Sequence, residues 1–188
     1  MGLFRRYGVF LIALFLVACV YVVLSFIDPV GIVATLGVGN TYAFLFLFAA
    51  IGGLSTFTVG AFYTAFITFV LGGSHPLLLS LVGGIGLLLG DTVFYVLGAG
   101  SRSSLSGAFE KSAEHISSWL SRQKEVTIML FIYLYSAITP LPSDILMISL
   151  SLLKYPYKKA VIPAVLGNIT LLLLLSLVSL SGMGHPIM

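Results

Sequence analysis

Apolar residues come in long blocks along this chain, and polar residues are gathered at the breaks between them. The first block, residues 9–27, matches the roughly 20 residues a helix needs to span a bilayer. Asp28-Pro29 closes it, and a weakly apolar linker, Val30 to Asn40, follows. The next block, residues 42–71, has an awkward length. As one helix it would reach about 45 Å, and two full spans would need about 40 residues. Its middle reads Gly52-Gly53-Leu54-Ser55-Thr56-Phe57-Thr58-Val59-Gly60. Glycine weakens a helix there, and Ser and Thr offer the backbone other partners. The pattern predicts a re-entrant hairpin of two half-helices that turns at Ser55 to Thr58.

Gly72-Gly73-Ser74-His75-Pro76 is a turn with proline at a helix start. Residues 77–98 form a full span that carries Asp91 inside it. The polar stretch from Ser101 to Glu125 comes next. Within it Phe109, Ala113, Ile116 and Leu120 recur at helical spacing. This predicts an amphipathic helix over 107–124, either lying in the membrane interface or solvated as a loop helix. Residues 126–153 repeat the awkward length, broken by Thr139-Pro140-Leu141-Pro142-Ser143-Asp144. Two prolines stop a helix, and Ser143 or Asp144 can cap the next one, so a second re-entrant hairpin is expected. Lys154-Tyr155-Pro156-Tyr157-Lys158-Lys159 is an aromatic and basic belt. Residues 160–180 are the last span, with Asn168 inside.

Composition fixes the solvent. Of 188 residues, 59% are hydrophobic and 8% charged, against about 25% charged in soluble domains. Mean hydropathy is +1.15. Such a chain cannot cover a water-facing surface, so the expected class is an all-α integral membrane protein. Its predicted form is three full transmembrane helices and two opposed re-entrant hairpins, with one interfacial helix, in a single domain over 1–188. Arg5 and Arg6 before Leu16-Val17-Ala18-Cys19 look like a signal with a lipoprotein box. The apolar run continues to Ile27, however, so an uncleaved first span is expected. The one cysteine rules out an internal disulfide.

The basic residues test this topology. With the N-terminus in the cytoplasm and both hairpins re-entrant, Arg5, Arg6, Arg102, Lys111, Arg122, Lys124, Lys154, Lys158 and Lys159 all fall inside. That is the bias the positive-inside rule favours. If residues 42–71 crossed once, those from Arg102 to Lys124 would move outside.

Hairpin followed by span thus occurs twice, with opposite topology. The spans share a short echo, Leu88-Leu89-Gly90-Asp91 against Val165-Leu166-Gly167-Asn168. Inverted repeats with broken helices are a transporter architecture, with the site at the repeat interface.

Three stretches then resemble the DedA superfamily, also called the VTT or SNARE-associated Golgi-like membrane proteins. They are the hairpin-to-span segment ending Gly90-Asp91-Thr92-Val93-Phe94-Tyr95-Val96-Leu97-Gly98, then Thr139-Pro140-Leu141-Pro142-Ser143-Asp144, and then the basic-aromatic belt leading to Leu166-Gly167-Asn168. Together they cover roughly Phe44 to Leu180. The resemblance implies two re-entrant hairpins facing each other and transport of a phospholipid or polyprenyl-phosphate, often coupled to protons. The bacterial pattern of that family has acidic residues in the first hairpin and arginines in the second. Here the first tip carries Ser55, Thr56 and Thr58, and residues 126–153 hold no arginine.

Several polar residues are candidates for a substrate or ion site. A carboxylate within a span is costly and by default functional. Asp91 would therefore bind a cation, carry a proton or hold a headgroup amine; its bland role is to pin a hairpin tip. Tyr95 lies one turn on, on the same face. Asp144 either acts at the second tip or caps a helix. Asn168 either bonds a hairpin tip or glues two helices. Pro140, Pro142 and Ser143 shape the second tip, and Ser55, Thr56 and Thr58 the first. Arg102 at the membrane edge either meets a lipid phosphate or anchors the chain.

The leading expectation is a flippase- or scramblase-like lipid transporter in the cell membrane of a prokaryote, either monomeric or a homo-oligomer. The alternatives are a non-transporting assembly factor and a small-ion or proton-coupled transporter that uses Asp91 and Asp144. No His-Glu metal motif, no nucleophile with a nearby base and no phosphate-cradling Gly-Lys loop occurs, so neither an enzyme nor a cofactor is expected. The basic residues form a membrane-facing rim and show no nucleic-acid surface.

Overall fold

The computed structural model describes residues 28–52, 56–101, 118, 122–139 and 143–182. Among them the chain is all helix and turn. The expected span 9–27 and nearly all of the expected interfacial helix 107–124 lie outside the described residues. Seven helices are described: α1 (Pro29–Leu36), α2 (Val38–Gly52), α3 (Thr56–Leu71), α4 (Pro76–Ser101), α5 (Glu125–Ile138), α6 (Asp144–Leu152) and α7 (Tyr157–Gly182).

Two of these helices, α4 and α7, are long and apolar enough to cross a bilayer. At 26 residues each, they reach about 39 Å. The remaining apolar helices are shorter. α2 and α3 have 15 and 16 residues, α5 and α6 have 14 and 9. At 1.5 Å per residue every one falls short of a hydrocarbon core of about 30 Å.

The expected linker from Val30 to Asn40 is instead helical. Pro29 starts α1 at a position where its missing N–H costs nothing. Gly37, at φ +78°, then breaks the chain, a backbone state glycine reaches without strain. α1 and α2 meet there at 98°, and if the bent pair counts as one span the described crossings number three. The first expected turn also shifts: Thr56 and Thr58 lie within α3, so the break falls between Gly52 and Thr56.

The internal repeat is visible in the packing. The first and last residues of α4 and α7 are each separated by 81 positions (76 to 157, 101 to 182). Each of these helices is met by the first arm of its own hairpin through one glycine. A Cβ on Gly86 would lie 2.6 Å from Ala49 Cβ and 2.7 Å from the Phe46 carbonyl oxygen. On Gly167 it would lie 2.6 Å from Ser136 Cβ and 2.7 Å from the Tyr133 carbonyl oxygen. The partners are again in constant register, 46 to 133 and 49 to 136. The second arms cross over, α6 packing on α4 and α3 on α7, while α4 and α7 pack on each other.

The echo Leu-Gly-Asp against Leu-Gly-Asn is therefore one helical turn out of register. Gly86, not Gly90, is the counterpart of Gly167. Asp91 corresponds to Leu172 and Asn168 to Leu87, so the polar pair is not a symmetric pair. Contacts between α4 and α7 run from Gly83 with Leu172, through Gly84 with Ile169, to Asp91 with Asn168. Positions rise on one helix as they fall on the other, so the two run antiparallel.

The halves differ in their cores. The first contains Leu45, Phe62, Phe66, Phe69, Val70 and Leu79, joined by Val33 of α1 and Leu172 of α7. The second is smaller, with Ile128, Ile132, Met147, Leu150 and Ala164. Large apolar side chains also point outward, Phe131 and Leu47 among them. That is a poor surface in water and an ordinary one in lipid. Hydroxyls inside the helices bond backward to carbonyls four residues earlier, as Thr64, Thr68 and Ser80 do, which spares them an unmet bond in an apolar medium.

Ser136 is an exception: its hydroxyl is buried without a hydrogen-bond partner. Leaving such a group unpaired costs about 1–3 kcal/mol. Ser136→Ala, which installs the residue found at the equivalent position 49, is expected to raise the melting temperature in detergent by a few degrees. An unchanged or lower midpoint would mean that the hydroxyl is in use.

Candidate polar site at the helix crossing

Asp91 lies at the centre of α4, 1% exposed, where the long helices cross. Its position follows from the glycines before it. Gly83, Gly84, Gly86 and Gly90 are buried and carry no side chains, so α7 and α2 come close along this face and the next large buried side chain is the carboxylate. The Asn168 side-chain amide of α7 donates to Asp91 Oδ2 at 3.1 Å. Ser143, at the start of α6, donates its hydroxyl to Asp91 Oδ1. Tyr63 of α3 stands within electrostatic reach of the same carboxylate. The site thus draws on both long helices and on the shorter helices α3 and α6.

Ser143 departs from the expected cap. It occupies the N-cap position of α6 but makes no side-chain hydrogen bond to that helix. Its hydroxyl is given instead to Asp91, across the crossing. The carboxylate in turn sits near the first turn of α6, the end of a helix that favours negative charge. Asp91 thus meets the start of α6, whereas Asn168 bonds Asp91 itself and joins α7 to α4, the helix-to-helix alternative weighed for it.

Tyr95 is directed elsewhere. Its hydroxyl donates to the Tyr155 carbonyl oxygen at 2.5 Å, and its ring lies 5.1 Å from that of Tyr157. The Tyr157 hydroxyl pairs with Thr92 Oγ1 at 2.6 Å. These contacts tie α4 to the loop before α7 and to its first residue, from the position next to Asp91 to one turn beyond it. Beside them Lys159 donates to Glu125 at 2.5 Å, joining the starts of α5 and α7. Both side chains are about half exposed, and exposed pairs of this kind contribute little.

Asp144 opens α6 directly after Ser143, but its side chain lies outside the described part, as do those of Thr56 and Thr58. Ser55, Arg102, Pro140 and Pro142 are outside the described residues altogether. Tyr63 is the site residue that sequence reading missed. Its signal was the single phenol of an arm whose other polar side chains are threonines, and nothing in its spacing pointed to Asp91. Among the described residues no three His, Cys, Asp or Glu side chains come together as metal ligands. The arrangement offers one buried carboxylate with two neutral donors on it, suited to exchanging hydrogen bonds or holding a proton or cation.

Comparison with protein-family models, characterised proteins and solved structures finds no match to this chain.

Proposed function

We propose that this chain is a lipid transporter, flippase- or scramblase-like, with the DedA-type arrangement its sequence resembles. The reading is supported above all by the position of Asp91. A carboxylate buried where two antiparallel long helices and the second arms of two hairpins converge matches the midplane site of inverted-repeat transporters. In this reading the pairs α2–α3 and α5–α6 are re-entrant, dipping from opposite faces, because no arm is long enough to cross. Irregular backbone at depth is tolerated only where protein or a water-filled cavity surrounds it, which this reading requires of the segments that join the arms. A phospholipid or polyprenyl-phosphate headgroup passes between the hairpins while its tails remain in lipid. The N-terminus is cytoplasmic, in a prokaryotic cell membrane.

A second reading, coupling to protons or a monovalent cation, is favoured by the same carboxylate, since an intramembrane acid is the group such carriers use.

The test is headgroup translocation in liposomes that contain the purified full chain and a set of labelled lipids, with and without a pH gradient. Protein-dependent movement of at least one lipid is expected. Acceleration by the gradient would add proton coupling. Folded protein that moves no lipid would refute transport and favour an assembly role.

A further inference from the structure

We propose that the adjoining starts of α5 and α7 form a docking site for the phosphate group of a lipid, held by the Lys159 ammonium and the Tyr155 phenol.

Two positive helix ends meet here. Lys159 donates to Glu125 at 2.5 Å, Gly167 lies against Ser136, and Tyr133 pairs with Thr170 at 3.2 Å. Positions rise together on both helices, so α5 and α7 run parallel and their N-termini share one end of the protein. A helix N-terminus carries partial positive charge and N–H groups with no partner in the helix, which suits an anion. An acid is the side chain that relieves such an end. Yet α7 opens with Tyr157-Lys158-Lys159 and has no acid in its first turn. Lys124 stands at the N-cap of α5 and makes no capping bond. Three exposed lysines are thus set against one carboxylate, that of Glu125.

The fold itself does not require this charge. In the first half α2 and α4 also start together, the His75 N–H donating to the Tyr42 hydroxyl at 3.1 Å. The turn before α4 is the same as the turn before α7. The Ser74 N–H bonds the Phe69 carbonyl oxygen at 3.0 Å, and the Tyr155 N–H bonds that of Leu150 at 2.9 Å. In this register Lys158 and Lys159 correspond to Leu77 and Leu78.

Tyr155 carries an unused donor to the same place. Its side chain is 7% exposed, its hydroxyl has no hydrogen-bond partner among the described residues, and it stands within electrostatic reach of both Glu125 and Lys159. Burial and the Glu125 carboxylate push the phenol up, so it keeps its proton. The turn that bears it is fixed on α4, by Tyr95 on the Tyr155 carbonyl oxygen at 2.5 Å and by Tyr157 with Thr92 at 2.6 Å. Lys159 and Glu125 are about half exposed and part at little cost. A phosphate that takes the place of the carboxylate meets the ammonium, the phenol and the two helix ends at once, with charge-assisted bonds to each.

The site concerns binding, so it is tested apart from movement of lipid. The purified full chain in detergent is titrated with phosphatidylglycerol, and with a diacylglycerol hemisuccinate that is anionic but has no phosphate. Bound lipid is counted by native mass spectrometry. Phosphatidylglycerol is expected to bind more tightly. Tyr155→Phe and Lys159→Gln should each weaken it about tenfold, the scale of one hydrogen bond to a charged group, and Glu125→Gln should strengthen it. Tyr155→Phe keeps the ring and gives up no described bond within the protein, so its melting temperature should hold; Lys159→Gln tests the site by a second route. Excess inorganic phosphate should displace little of the lipid. A basic rim that responds to charge alone would hold both lipids equally and ignore Tyr155→Phe, and either result would overturn the site. Full displacement by inorganic phosphate would overturn the lipid as its occupant.

Discussion

Asp91→Asn is expected to slow lipid translocation at least tenfold while leaving a folded protein in the membrane. The carboxylate accepts from the Asn168 amide and from the Ser143 hydroxyl, and hydrogen bonds to a charged group contribute about 1.5–3 kcal/mol each. Asparagine has the same shape but only one accepting oxygen. It can serve Ser143 or Asn168, and the other donor then faces an NH2 group. The loss is about one such bond, a small part of the 5–15 kcal/mol that holds a typical domain. A role in packing alone would therefore show as a lower melting temperature with transport intact.

The exchange variant Asp91→Asn/Asn168→Asp sharpens the distinction. It returns one carboxylate and one amide to the same pair, so a structural role should be largely rescued. Transport should stay low, because the carboxylate would then sit on α7, away from the Ser143 hydroxyl at the start of α6. Wild-type translocation by Asp91→Asn would remove Asp91 from the mechanism. Recovery of translocation by the exchange would show that the site needs a charge but not at this position.

How far the sequence foretold this arrangement depends on the type of signal. The long helices were legible because run length is a local property, and α4 and α7 extend the expected spans 77–98 and 160–180 by only a few residues at each end. That two shorter helices stand in place of one over 42–71, and again over 126–153, was legible from Gly52-Gly53 and from the residues around Pro140. α1 was missed because Asp28-Pro29 was read as the end of a helix, although proline is equally a helix opener. The register of the repeat was misread because Gly-Asp and Gly-Asn match as words. The true register is set by which glycine touches a backbone carbonyl, and that contact lies across helices. Ser143 on Asp91 and Tyr63 within its electrostatic reach, 52 and 28 positions away in sequence, are likewise products of tertiary packing. Single-sequence periodicity carries no information on such pairs.

Gly86→Ala and Gly167→Ala should each lower the melting temperature in detergent by about 5–10 °C, the largest stability effects expected from so small a change. Alanine is ordinarily the better helix former by about 1 kcal/mol, so the sign depends entirely on packing. At both positions the added carbon meets a carbonyl oxygen at 2.7 Å, well inside contact distance. That oxygen belongs to a helix backbone and cannot rotate away, so the whole arm must shift. Overpacking of this kind costs about 1–3 kcal/mol, or roughly 2–4 °C per kcal/mol for a chain of this size. Gly100→Ala and Gly182→Ala, where no atom lies within 4 Å, should hold or slightly raise the midpoint. Because Gly86 and Gly167 act on different hairpins, their effects should add in the double variant. The consequences for transport should differ even so. Gly167→Ala displaces α5, the helix before Ser143 and its bond to Asp91, whereas Gly86→Ala displaces α2, which packs in the larger apolar core. At matched loss of stability, Gly167→Ala is expected to alter translocation more. Equal effects on translocation would mean that the two hairpins move alike and that the polar contact at Asp91 does not set them apart.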